Sequence, residues 1–201
     1  MKKYTAEDLK EFEKDENGRI LCPAGDYTEI TSFPERCSFG ERSSFGEWCS
    51  FGAGCRFGAG CSFGKCCSFG EWCSFGEGCR FGAGCSFGAG CSFGEGCRFG
   101  AGCSFGAGCS FGKCCSFEGG HIAAPGYPVL TFSGFGSANR TTYAFNCTDG
   151  IVIRCGCFSG SLEEFRKKVR ERHGNTPFAI EYLAVADLIE RRFSREGEVR
   201  R

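Results

Sequence analysis

Large apolar and small residues recur along the chain with a period of six. Phe stands at 33, 39, 45 and every sixth position to Phe117. Two places ahead of Phe stands Cys: Cys37, Cys49, Cys55, Cys61, Cys67, Cys73, Cys79, Cys85, Cys91, Cys97, Cys103, Cys109 and Cys115. Ser43 fills the one vacant place, so the position takes a small, buryable side chain. Upstream, Tyr27 and Leu21 keep the Phe phase, and Thr31 and Gly25 keep the Cys phase. The repeat thus starts near residue 20. Its unit is Phe-Gly-x-x-Cys-Ser/Arg, with Ala-Gly or Glu-Gly as the usual middle pair.

Six is a poor helical period, and Gly at two places in six melts a helix. It suits a strand of about four residues and a two-residue corner. Cys and Phe are two apart, so both point to one side of the strand while Ser or Arg points to the other. The corner pair ends in Gly, which permits positive φ. Apolar sides stacked coil on coil build a solenoid.

The unit resembles the hexapeptide-repeat left-handed β-helices, which carry an aliphatic residue, Gly, two variable residues, a small residue and one more variable residue. Phe51-Gly52-Ala53-Gly54-Cys55-Arg56 fits with Phe in the aliphatic place. Phe is larger than the family's Ile, and Cys is smaller than its Val or Thr, so the core volume balances. The resemblance covers residues 20–120. It implies a mainly β fold, a single-stranded, left-handed, triangular β-solenoid of about 18 residues per coil. At roughly 4.8 Å per rung the rod is about 27 Å long.

Residues 18 apart then stack. One outward column reads Ser38, Arg56, Ser74, Ser92, Ser110. A second reads Ser44, Ser62, Arg80, Arg98, Ser116. The third, Ser32, Ser50, Ser68, Ser86, Ser104, carries no charge. Stacked Arg80 and Arg98 read either as solvated cations or as a small anion site. The Ser face reads either as a solubilising surface or as a contact face for a partner or a second copy. Trp48 and Trp72 take a corner Gly place, as do Cys66 and Cys114, and an exposed Trp is a candidate binding anchor.

Residues 1–19 read as an N-terminal cap, with a short amphipathic helix over 5–14. Residues 121–201 read as a separate α+β module. Pro128 to Ser133, Thr141 to Asn146 and Ile151 to Cys157 predict three strands of a β-meander, with Asp149-Gly150 as a tight turn. Ser161-Leu162-Glu163-Glu164 is a capping box opening a helix through Arg172. Thr176-Pro177 starts a second helix, carrying Ile180, Leu183, Val185, Leu188 and Ile189, through about Phe193, and completes a helical hairpin.

Composition narrows the function. The 24 basic and 24 acidic side chains cancel, which disfavours a basic nucleic-acid binder and an acidic DNA mimic. No apolar run reaches a membrane span. Met1-Lys2-Lys3 leads into polar residues without an apolar leader, so the expected location is cytoplasmic, where thiols stay reduced. The column Cys are therefore read as buried reduced thiols, not as disulfides or metal ligands, and Cys66 and Cys114, in corner places, as more exposed and more reactive.

Catalysis has little to stand on. The best-known hexapeptide β-helices are acyltransferases that use a His base with acyl-coenzyme A. The two His here are His121, at the repeat exit, and His173, at a helix C-terminus. No loop interrupts the Phe units. Cys155 and Cys157 flank Gly156 and are read as strand neighbours pointing one way. The one basic cluster, Arg166, Lys167, Lys168 and Arg170 within 166–172, reads as a solvated helix face or as a contact for nucleic acid or an acidic protein. No catalytic residue, metal or cofactor is assigned.

The tail adds a second resemblance. Gly156-Cys157-Phe158-Ser159-Gly160-Ser161-Leu162-Glu163-Glu164-Phe165 is similar to a Gly-Cys-Phe-x-Gly-x-Leu-x-Glu-Phe segment that follows a hexapeptide rod in proteins of gut Firmicutes and their phages. Mobile-element proteins of this kind include inhibitors of host defence such as anti-CRISPR proteins. The expected function is a non-enzymatic interaction protein that binds and blocks a host component. The alternatives are an acyltransferase on the same rod and a sponge for a small nucleotide signal held by Arg80 and Arg98.

Overall fold

A computed structural model describes residues 1–117, 129–137 and 141–198, the last four by backbone alone. The chain forms two compact units, Met1–Tyr127 and Pro128–Arg201.

The first unit is a parallel β-solenoid with about 18 residues per coil. Its strands fall into three parallel sheets, one of six strands and two of five, as a three-sided coil requires. From Asp26–Tyr27 to Ser110–Phe111 the strands are two residues long, one per repeat unit, except Cys37–Phe39, which has three. Register follows the repeat: Ser74 pairs Ser92, Arg80 pairs Arg98 and Ser86 pairs Ser104.

Inside, the Phe rings form three columns. One runs Tyr4, Tyr27, Phe45, Phe63, Phe81, Phe99, Phe117, each ring near-parallel to the next. Phe63 and Phe81 have centroids 4.9 Å apart and planes 3° apart. Successive rings of different columns meet edge to face, as Phe63 and Phe69 do at 5.0 Å and 89°. Each ring thus has offset-stacked neighbours above and below and T-shaped neighbours beside it, the two arrangements that aromatic quadrupoles favour. The rung spacing of a parallel sheet sets the stack, so Phe can replace the aliphatic residue without strain.

The Cys column lies beside the rings, and its thirteen thiols are buried. Most donate weakly to the carbonyl of a residue one coil earlier: Cys79 to Gly58 and Cys97 to Gly76, both at 3.4 Å. Ser43 does similar work, donating to the Gly40 carbonyl at 2.8 Å and accepting from the Gly25 N–H at 3.3 Å. The Gly after each Phe is required by close approach: a Cβ on Gly64 would lie 2.6 Å from the Glu47 nitrogen.

The first coil departs from the expected phase. Ile20, Leu21 and Cys22 pair with Cys37, Ser38 and Phe39, whereas Asp26 pairs with Ser44. The corner Pro23-Ala24 is one residue shorter than its successor, so Cys22 points inward and Leu21 is 42% exposed. The N-terminal cap also differs from the expected helix over 5–14. Helix α1 spans Asp8–Glu11 only. Its flanks are drawn into bridges with the rod, Lys3 to Asp26 and Lys14 to Ile20. The closing side chain is Tyr4, which stacks on Tyr27 at 5.0 Å and takes the edge of Phe12.

The second unit is an antiparallel sheet in sequential order, Val129–Phe132, Thr142–Cys147, Gly150–Cys155 and Phe158–Ser161. The three-strand expectation misses the last strand. Gly156 takes φ 62°, and Gly156-Cys157 makes a two-residue turn with Cys155 opposite Phe158. Helix α2, Leu162–His173, starts with the full capping box: the Ser161 hydroxyl accepts from the Glu164 N–H, and Glu164 accepts from the Ser161 N–H. Helix α3 spans Pro177–Glu198. The core joins Ala144, Ile153, Leu162, Phe165, Val169, Tyr182 and Ile189. Of the apolar residues on α3, Ile180 and Leu188 are 66% and 53% exposed, because Ala179, Tyr182, Ala186 and Phe193 form the inward stripe with Ile189.

Candidate functional site

From residue 36 to residue 114 each corner of the rod puts one residue in the left-handed region. Gly holds that place in most coils. The exceptions are Arg36, Arg42, Trp48, Cys66, Trp72 and Cys114, all with φ between 57° and 61°. A left-handed conformation costs an L-residue roughly 1–2 kcal/mol. Bulky indoles in that conformation are unusual, and such outliers cluster at functional sites.

Both indoles are open to water, Trp48 at 70% and Trp72 at 69%. They hold one place in the repeat but sit on different corners of the triangle. Trp48 precedes strand Ser50–Phe51, and Trp72 follows strand Ser68–Phe69. Those two strands are adjacent in the all-Ser sheet. The indoles therefore flank the uncharged face on opposite edges, one coil apart. The Trp72 ring lies along the backbone of Gly90, where a Cβ would come within 2.5 Å of it. That coil needs Gly at 90 if Trp stands at 72. The separation of 48 and 72 is not a multiple of 18, which puts them on different corners.

The second face carries the two arginines. Arg80 and Arg98 are opposite one another in adjacent parallel strands and are exposed. Among the described residues neither forms an ion pair, so the two cations stand side by side unneutralised. Arg56 stands alone between Ser38 and Ser74 on the remaining face.

The basic cluster of α2 is divided by the fold. Arg166 donates to Asp187 at 2.7 Å and to Glu190 at 2.8 Å, tying α2 to α3. The Glu190 hydrogen bond raises the Arg166 pKa above its ordinary value, with Asp187 adding to it. Arg166 is thus committed inside the unit. Lys168 reaches Glu171 at 3.8 Å. Lys167 and Arg170 are exposed.

The remaining thiols differ from one another. Cys66 is half-buried and Cys114 exposed. Cys155 and Cys157 are not neighbours on one strand: Cys155 ends a strand and is half-buried, and Cys157 lies in the two-residue turn and is exposed. Burial pushes the Cys147 thiol up to about 12. In the rod, hydrogen bonds between neighbouring thiols raise Cys85, Cys91 and Cys97, with burial adding to it, and lower their partners Cys67, Cys73 and Cys79. Among the described residues no group of three or more His, Cys, Asp or Glu is placed to hold a metal ion. His121 lies outside the described residues. Among them, no helix is long and apolar enough to cross a membrane.

Comparison with protein-family models, with curated proteins and with solved structures finds no match for this chain.

Proposed function

We propose that this chain is a non-enzymatic interaction protein whose rod presents a docking face to a protein partner. The observation that carries the reading is the pair Trp48 and Trp72. Both are exposed, both hold a backbone conformation that costs stability, and both border the one uncharged face. Trp is the side chain most enriched at binding hot spots, and a flat face of short hydroxyls loses little side-chain entropy on contact. The tail's resemblance to phage and Firmicutes proteins supports a mobile-element setting in the cytoplasm. There the protein binds and blocks a host component, as an anti-defence or anti-CRISPR inhibitor does. A second copy docking through the Ser face is the self-association form of the same reading.

The unpaired Arg80 and Arg98 favour a second reading, a sponge for a small nucleotide signal with its phosphate between the guanidinium groups. An acyltransferase needs a His base in the rod, and residues 20–117 contain none.

Affinity capture from the native host separates these readings. The baits are the full chain, Trp48→Gly/Trp72→Gly and Arg80→Glu/Arg98→Glu. A protein retained by the wild type and lost with the Trp variant supports the docking face. A nucleotide retained by the wild type and lost with the Arg variant supports the sponge. A protein partner retained by both variants overturns the role given to these residues.

A further inference from the structure

The C-terminal unit contains a cleft that the rod-face reading leaves unused. Helix α2 offers it Phe165, Lys168, Val169 and Arg172 at helical spacing, and the strand before α2 offers Phe158. Tyr182 of α3 closes one side. The space is about 90 Å³, the same order as the roughly 150 Å³ apolar cavity that admits benzene.

Its walls are aromatic. Phe158 and Phe165 have centroids 5.5 Å apart, Phe165 and Tyr182 6.0 Å, and His173 stacks on Tyr182 at 5.5 Å. Its rim is cationic: Lys168 and Arg172 line it, and among the described residues no carboxylate does. Arg172 stands in the last turn of α2, where a cation suits the helix dipole, and Lys168 stands one turn earlier. That accounts for the charge at Arg172, but not for a ring-lined space beneath it.

We propose that this cleft binds a small aromatic anion, its flat ring against Phe158, Phe165 and Tyr182 and its charge at Lys168 and Arg172. An aromatic carboxylate and a nucleoside monophosphate share that chemistry. Ring burial supplies affinity, and the guanidinium and ammonium groups fix orientation.

The test uses the full chain and the fluorescent probe 8-anilinonaphthalene-1-sulfonate, a ring system with one anion. Binding is measured for the wild type, Lys168→Glu/Arg172→Glu and Lys167→Glu/Arg170→Glu. The two variants change charge equally on one exposed helix, and only the first touches the cleft. The proposal expects saturable binding at one site, weakened at least about tenfold by the first variant and within about twofold of wild type in the second. Indole-3-acetate and AMP are then added as competitors. Displacement by indole-3-acetate alone assigns the carboxylate, and displacement by AMP alone assigns the nucleotide. Equal weakening in both variants, or no displacement by either competitor, overturns the proposal. Circular dichroism of both variants separates lost binding from lost folding.

Discussion

Phe69 is the position where the ring packing is easiest to test. Its ring is 4% exposed. It is stacked between Phe51 and Phe87, each at 4.9 Å. It meets Phe63 and Phe75 edge to face at 5.0 Å, and Phe57 and Phe81 at 5.8 Å. Truncating a buried Phe to Ala costs about 3–5 kcal/mol, and six ring contacts put Phe69→Ala at the upper end. Phe69→Leu keeps most of the apolar area and loses the ring geometry, for about 1–2 kcal/mol. Each coil of a solenoid touches only its neighbours, so the damage is local. Amide hydrogen exchange should accelerate in strands Ser50–Phe51 and Ser86–Phe87 more than in Ser32–Phe33. The Ala variant leaves a ring-shaped apolar space, so benzene should raise its thermal midpoint and leave that of the wild type unchanged. A loss below about 1 kcal/mol for Ala, with no response to benzene, refutes the stacked-ring account.

Three further outcomes follow from the packing. Ser43→Ala removes the acceptor of the Gly25 N–H and should cost about 1–2 kcal/mol in denaturant melts, whereas Ser43→Cys restores the repeat and should stay within about 1 kcal/mol of wild type. Gly64→Ala forces a Cβ against the Glu47 backbone and should cost at least about 2 kcal/mol by the same measurement. The Ser161 N–H, and then its hydroxyl, hold the Glu164 carboxyl below its ordinary 4.5. Its contribution to α2 is therefore complete above that pH and fades as pH falls through the lowered value. Glu164→Gln should flatten that acid limb in a pH series of melts, and an unchanged limb contradicts the capping box.

The repeat made the rod legible because period and chemistry agree: every Phe and every column Cys sits where a strand of a three-sided coil needs it. The stacked pairs Arg80–Arg98 and Ser86–Ser104 follow from counting by 18 alone. What escaped depends on contacts between distant positions. The slip at Pro23-Ala24 turns on the length of one corner, and it exchanges Leu21 for Cys22 inside. Tyr4 carries no phase signal, yet it continues a ring column. Arg166 looked like its basic neighbours until Asp187 and Glu190 of α3 came beside it. The second-unit cleft draws on segments far apart in the chain, and no local pattern joins Cys155 to Arg172 and Tyr182. Trp48 and Trp72 were visible as corner residues. Their place on either side of the Ser face needed the order of the three sheets.

The central claim is that ring columns exclude water and that the thiols beside them pack as small apolar groups. Thiol titration with a water-soluble aromatic disulfide tests it directly. Of the 19 free thiols, 15 are buried, Cys66 and Cys155 are half-buried, and Cys114 and Cys157 are exposed. The native protein should release colour from Cys114 and Cys157 quickly, from Cys66 and Cys155 slowly, and from no others until denaturant is added, when all 19 react. Reaction of the column thiols in the native state would contradict the account, and so would fewer than 19 thiols after unfolding without reductant.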